Sequence, residues 1–139
     1  MTSDRTGRAA PGSPVAGRAP LVVVDGANVV GSVPDGWWRD RRGAAERLRD
    51  RLTGHPGPAE VVLVVEGAAR GVASVPGVRV VTAPGSGDDR IVELVRDEGG
   101  GRPCVVVTAD RGLRERVTAL GAGVSGPREL LEKISPRDR

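Results

Sequence analysis

The stretch Leu21-Val22-Val23-Val24-Asp25-Gly26-Ala27-Asn28 decides the fold. Four consecutive apolar residues, three of them β-branched and none alternating with polar ones, read as a strand buried on both faces, the habit of parallel sheets. The run stops at Asp25-Gly26, so a carboxylate closes the strand. Working outward, the same grammar returns. Residues 61–65 form a second apolar run ending at Glu66-Gly67, residues 78–83 a weaker third, residues 104–107 a fourth ending at Thr108-Ala109-Asp110, and a short fifth surrounds Val124. Helical periodicity fills the gaps. Over residues 38–52, Trp38, Ala45 and Leu52 recur every seven with Ala44 and Leu48 beside them, and Gly54 and Pro56 stop the helix. Residues 88–98 carry Ile91, Leu94 and Val95 in one stripe after Gly85-Ser86-Gly87; Leu113, Val117 and Leu120 share another; Leu130, Leu131 and Ile134 turn inward after Pro127. Strands alternating with helices predict a three-layer α-β-α, Rossmann-like domain with a mainly parallel sheet of about five strands and right-handed crossovers.

Composition suits this reading. The 139 residues include 23 Val, 15 Ala and 9 Leu against two Trp and no Phe or Tyr, so the core is built from small aliphatic side chains. Net charge is +3, and 20 of the 21 basic residues are Arg, which stay charged to high pH. The expected organisation is a disordered tail over 1–19, a single domain over 20–134 and a C-terminal tail over 135–139. The domain holds 16 basic and 16 acidic residues, so the excess positive charge belongs to the tails. One cysteine, Cys104, and one histidine, His55, rule out an internal disulfide and a Cys/His zinc centre. Cys104 reads as a small buried hydrophobe and His55 as an exposed turn residue. The chain fits a reducing, cytoplasmic setting. No apolar run approaches the roughly 20 residues needed to cross a bilayer.

The acids sit where chemistry happens in such folds. Ligands of open α/β sheets bind outside the carboxyl ends of the strands, and there stand Asp25, Glu66 and Asp110, with Asp88 and Asp89 opening the helix after the third strand. Two carboxylates about 5 Å apart repel by roughly 3 kcal/mol at an effective dielectric near 20. Convergence therefore implies raised pKa values or a bound cation. Oxygen donors without nearby Cys or His suit Mg²⁺ or Mn²⁺, ions that activate water and clamp phosphodiester oxygens. Helix phase puts Asp88 on the sheet-facing stripe of Ile91 and Val95, and Asp89 on the flank beside Glu93. Asp88 is thus the expected direct ligand and Asp89 an outer one. Singly, each acid has a local explanation: Asp88 and Asp110 as helix N-caps, Asp25 as a turn former. Three or four together at the strand ends point to a site.

At these residues the chain resembles the NYN/PIN-like nuclease superfamily, and within it small bacterial NYN-domain proteins. The resemblance rests on Val22-Val23-Val24-Asp25-Gly26-Ala27-Asn28-Val29-Val30-Gly31, then Gly87-Asp88-Asp89-Arg90-Ile91, then Val106-Val107-Thr108-Ala109-Asp110-Arg111, and spans about residues 20–134. It implies a sheet of order 3-2-1-4-5 and metal-dependent cleavage of RNA, whether ribosome-associated, tRNA or mRNA. It also implies Asp25, Asp88 and Asp110 as the metal-holding cluster, Asn28 as an orienting hydrogen-bond partner, and a fourth acid drawn from Asp89, Glu66 and Glu93.

Arginine supplies a complementary surface. Residues 39–51 hold Arg39, Arg41, Arg42, Arg47, Arg49 and Arg51 against three acids, a pattern suited to phosphate contacts or to a solvated helix face. Trp37 can stack on an unpaired base, whereas the phase of Trp38 puts it in the core. Arg111 after Asp110, and less so Arg90 after Asp89, are candidates for a phosphate. Two functions follow: a divalent-metal-dependent ribonuclease, or a non-catalytic RNA- or ribosome-binding module. A receiver domain wants an acidic pair after the first strand, a dehalogenase-type phosphatase wants Asp-x-Asp, and a dinucleotide-binding domain wants a glycine-rich first turn. Asp25-Gly26-Ala27-Asn28 supplies none of these.

Overall fold

The computed structural model describes residues 19–134. Of the expected tails, 1–19 and 135–139, all but Ala19 lies outside the described residues, and the Ala19 carbonyl accepts from Arg102. In chain order the elements are β1 (Leu21–Asp25), α1 (Gly26–Gly31), a 3₁₀ turn (Trp37–Arg39), α2 (Arg41–Leu52), β2 (Glu60–Val65), a second 3₁₀ turn (Gly67–Ala69), β3 (Val78–Thr82), α3 (Gly87–Glu98), β4 (Cys104–Val107), α4 (Arg111–Ala119), β5 (Gly123–Ser125) and α5 (Pro127–Ile134). The five strands form one parallel sheet of order β3-β2-β1-β4-β5.

β1 is central, and its register explains its unbroken apolar run. Val23 lies between Val62 of β2 and Val106 of β4, and Val24 between Leu63 and Val107. Neighbouring residues on one strand face opposite sides. Val22, Val24, Leu63, Val65 and Val107 pack with Leu48, Leu52, Leu130 and Ile134 on the side of α2 and α5. Leu21, Val23, Val62, Val64 and Val106 pack with Ile91, Leu94, Val95, Leu113 and Val117 on the side of α3 and α4. A sheet with an apolar core on each face must have both covered, which is the three-layer arrangement.

Several local expectations change. The Asp25-Gly26 stop is not a loop: it opens α1, a helix hidden from periodicity because it is only six residues long and starts on glycine. A Cβ at Gly26 would stand 2.5 Å from the carbonyl oxygen of Val64 and 3.2 Å from Leu63, so only glycine lets α1 leave β1 across the end of β2. The helix expected over 38–52 begins later. Asp40, with φ −152° and ψ 81°, breaks it and caps α2 by accepting from the Gly43 N–H at 2.9 Å. That break turns Trp38 away from the stripe of Ala45 and Leu52, and the ring is 55% exposed rather than in the core. Leu120 likewise falls past the end of α4 and is exposed, while Leu131 and Cys104 are half-buried. His55 is half-buried in its turn.

The amino edge of the sheet holds an ion-pair network away from the acids that close the strands. The buried Arg102 guanidinium donates to the Ala19 carbonyl at 2.8 Å and to Glu60 Oε1 at 2.9 Å. Arg79 donates to both oxygens of Glu98 at 2.8 Å. These contacts tie the starts of β1, β2 and β4 together.

Candidate active site

At the carboxyl edge, β1 delivers Asp25 into a nearly closed setting, with 6% of the residue exposed. Its Oδ1 accepts from the Asn28 N–H at 3.3 Å, which makes it the N-cap of α1, and its Oδ2 accepts from Thr108 Oγ1 at 2.9 Å. Thr108 is fully buried just past the end of β4, and the same hydroxyl accepts from the Asp110 N–H at 3.1 Å. One hydroxyl therefore couples two of the sequence-predicted acids. The Asn28 side chain closes a second link across the same strands, its Oδ1 accepting from the Ala109 N–H at 2.9 Å. The Asn28 side chain thus satisfies the backbone of the β4–α4 loop. Arg114 Nε donates to the Thr108 carbonyl at 2.7 Å and holds that loop from α4.

The local explanations of the acids divide. Asp110 does cap a helix, accepting from the Leu113 N–H at 2.9 Å, and it is exposed. Asp88 does not, because Ser86 caps α3 in its place, with Oγ accepting from the Asp89 N–H at 3.4 Å. Asp88 is left half-buried with no hydrogen-bonding duty in the helix start.

The charges press on one another. Burial pushes the Asp25 carboxyl above the ordinary carboxylate range; hydrogen bonds from Thr108 and the Asn28 amide oppose this, and the negative charges of Asp88 and Glu66 add to it. Asp88 is also raised, first by burial, then by Asp110 and Glu66, while Arg116 pulls it back. Asp25, Glu66, Asp88 and Asp110 thus form one electrostatically coupled rim. Glu66 packs tightly against α3: a Cβ on the buried Gly87 would lie 2.6 Å from Glu66 Oε2. Of the three candidates for a fourth acid, Glu66 is the one whose charge reaches both Asp25 and Asp88. Asp89 is exposed and pairs with Arg116 at 3.0 Å, and Glu93 pairs with Arg90 at 3.1 Å.

The donor set is all carboxylate oxygen, which fits a hard divalent ion. The cage is not preformed: among the described residues no three acidic, His or Cys side chains stand close enough together to hold one.

Two of these features were not read from the sequence. Thr108 carried a faint signal, a hydroxyl two residues before an acid at a strand end. Arg116 carried none, since its pairing with Asp89 depends on α3 lying beside α4.

The arginines sort by partner. Arg42 pairs with Glu46 at 3.5 Å and reaches the Gly71 carbonyl, Arg47 pairs with Asp35 at 3.8 Å, and Arg49 donates to the Ala73 carbonyl at 3.0 Å. Arg39 and Arg41 instead sit over aromatic rings, Arg39 5.7 Å from the centroid of Trp38 and Arg41 5.4 Å from that of Trp37. The two indoles meet edge to face at 6.0 Å. Arg111 is exposed at the first position of α4, where a cation opposes the helix dipole.

The backbone aligns with a solved structure at a TM-score of 0.70. The chain shares its fold with Rae1 (YacP) from Bacillus subtilis. Two crystal structures of Rae1 match: a tryptophan-to-leucine variant at 22% identity over 83% of this chain and 74% of Rae1, and Rae1 itself at 21% identity, with a TM-score of 0.70, over 82% and 72%. No protein-family model matches the chain, nor does any curated protein sequence. The Rae1 fold accounts for strand order 3-2-1-4-5, in which β1 and β4 are neighbours and Asp25 and Thr108 can meet. No helix among the described residues is long and apolar enough to cross a membrane.

Proposed function

We propose that the chain is a NYN/PIN-like ribonuclease of the cytoplasm that hydrolyses RNA phosphodiester bonds with Mg²⁺ or Mn²⁺. The observation that carries this reading is the rim itself, where Asp25 is buried and the carboxyls of both Asp25 and Asp88 are raised, first by burial and then by neighbouring acids, Asp88 and Glu66 at Asp25 and Asp110 and Glu66 at Asp88. Structural ion pairs relieve such repulsion with arginine; among the described residues Arg116 acts on Asp88 in this way, and it is engaged with Asp89. A rim of acids that raise one another's pKa is suited to receive a cation. The motifs around Asp25, Asp88 and Asp110 and the shared fold with Rae1 support the same reading.

Asp25, Asp88 and Asp110 would hold the ion, with Glu66 as the fourth acid. A bound divalent ion supplies activated water and neutralises charge on the phosphate. The chain's own work is positional. Thr108 fixes the Asp25 carboxylate, Asn28 fixes the loop that carries Asp110, and Asp89 is turned aside by Arg116. Arg111, Arg39, Arg41 and Arg42 would steer the phosphate backbone, whose affinity for arginine falls with salt.

The test is cleavage of an unstructured RNA by the purified full chain with Mn²⁺ or Mg²⁺. Asp25→Asn and Asp88→Asn should each lower the rate by at least about 100-fold, the scale on which loss of one charge-stabilising group acts. Metal-dependent cleavage unaffected by either change overturns the assignment. RNA bound but left intact with every divalent ion establishes the non-catalytic module instead.

A further inference from the structure

On the other side of Glu66 from the acids lies a cleft of about 260 Å³, on the face of the sheet that carries α1 and α2. Gly26, Val30 and Val65 form an apolar floor, and Trp37, Arg41 and Glu66 stand around it. Its volume is just below the roughly 300–1,000 Å³ of pockets for drug-sized ligands, which suits a single ring system. We propose that this cleft takes one unpaired nucleobase, adjacent in the chain to the phosphate held at the acid rim. The inference rests on the RNA reading above and adds the groups that hold a base beside the rim, Trp37 and Arg41.

Three observations converge on it. Trp37 is half-buried and offers a ring with the Arg41 guanidinium over it, and bases stack on aromatic rings and on guanidinium planes alike. Among the described residues, Arg39 and Arg41 have no carboxylate partner, whereas Arg42, Arg47 and Arg49 each pair with an acid. Both of these cations sit at the tryptophans and are available to a phosphate. Glu66 lines the cleft while its Oε2 lies against Gly87, the residue before Asp88, so cleft and rim share one wall. A base in the cleft with its phosphate at the rim has left its helical stack.

Trp37 and Trp38 are the only tryptophans, so Trp38→Phe leaves Trp37 as sole reporter. The experiment uses the full chain carrying Trp38→Phe and Asp88→Asn in EDTA at low salt, titrated with an unstructured oligoribonucleotide and with the same ribose-phosphate backbone lacking its bases. Labelled-RNA anisotropy runs in parallel on Trp37→Leu and, as a milder variant, Arg41→Gln, both in the Asp88→Asn background. Saturable quenching of Trp37 by the base-bearing strand alone is expected, with affinity falling roughly 5- to 100-fold in Trp37→Leu, the range for loss of one stacked base. Duplex RNA should leave the fluorescence unchanged. Equal affinity for the two backbones, or full affinity in folded Trp37→Leu and Arg41→Gln, overturns the subsite while RNA binding stands. No RNA bound by the unmutated chain overturns the RNA reading and the subsite with it.

Discussion

Thr108→Val isolates the hydroxyl on which the site geometry turns. Valine matches threonine in shape, so the change deletes a donor to Asp25 Oδ2 at 2.9 Å and an acceptor of the Asp110 N–H at 3.1 Å while leaving the buried volume almost constant. A hydrogen bond to a charged group contributes about 1.5–3 kcal/mol and a neutral one about 1 kcal/mol, so the loss at pH 7 should be roughly 2–4 kcal/mol. For a domain of this size that is a fall in Tm of about 8–16 °C. Thr108→Ser keeps both hydrogen bonds and loses one buried methyl, a cost of about 1 kcal/mol. The sign of the pH dependence follows from Asp25. Its folded pKa is raised by burial and held back by Thr108, so Thr108→Val raises it further. The valine variant is penalised most where Asp25 is charged, and its deficit should narrow as pH falls through the folded pKa. Calorimetry or thermal circular dichroism at pH 7 and over a series of lower pH values reads this directly. A valine variant within about 0.5 kcal/mol of the serine variant, or a deficit indifferent to pH, would refute the coupling.

Other outcomes follow from the same structure. Asp88 is raised by burial and by Asp110 and Glu66, so its charge costs stability above its folded pKa and the cost disappears as pH falls through it. Asp88→Asn should therefore be at least as stable as the parent at pH 7 without metal. With Mn²⁺ at 100 times Kd the parent alone should gain about 2.7 kcal/mol, read as a Tm shift. Gly26→Ala should cost about 1–3 kcal/mol in chemical denaturation, because the obstructing atom is the backbone oxygen of Val64 and cannot rotate away. Arg102→Met removes a buried cation bound to Ala19 and Glu60 and should cost a similar amount, with RNA cleavage per folded molecule unchanged because the network lies at the opposite edge from the acids.

The sheet was legible because its signal is local: a strand covered on both faces has no polar positions to spare, and Val22–Val24, 61–65 and 104–107 say so residue by residue. The acids were legible for the same reason, since a strand end is a position in the sequence. What hid was whatever depends on a partner distant in the chain. Thr108 meets Asp25 across 83 positions and Arg116 meets Asp89 across 27. Periodicity misled at Trp38, where a match every seven residues was outweighed by Asp40, a better N-cap than helix interior. It also overlooked α1, whose six residues are fewer than two turns.

In the proposed ribonuclease, Asp25, Asp88 and Asp110 would close on one divalent ion. Crystals of the full chain soaked in Mn²⁺ and measured at the manganese absorption edge test it most directly. An anomalous peak is expected between the three carboxylates, at roughly 2.0–2.2 Å from their oxygens, with the Asp25–Thr108 and Asn28–Ala109 hydrogen bonds unchanged. A rim that stays without anomalous density at saturating Mn²⁺, or an ion held elsewhere while these acids remain apart, would contradict it.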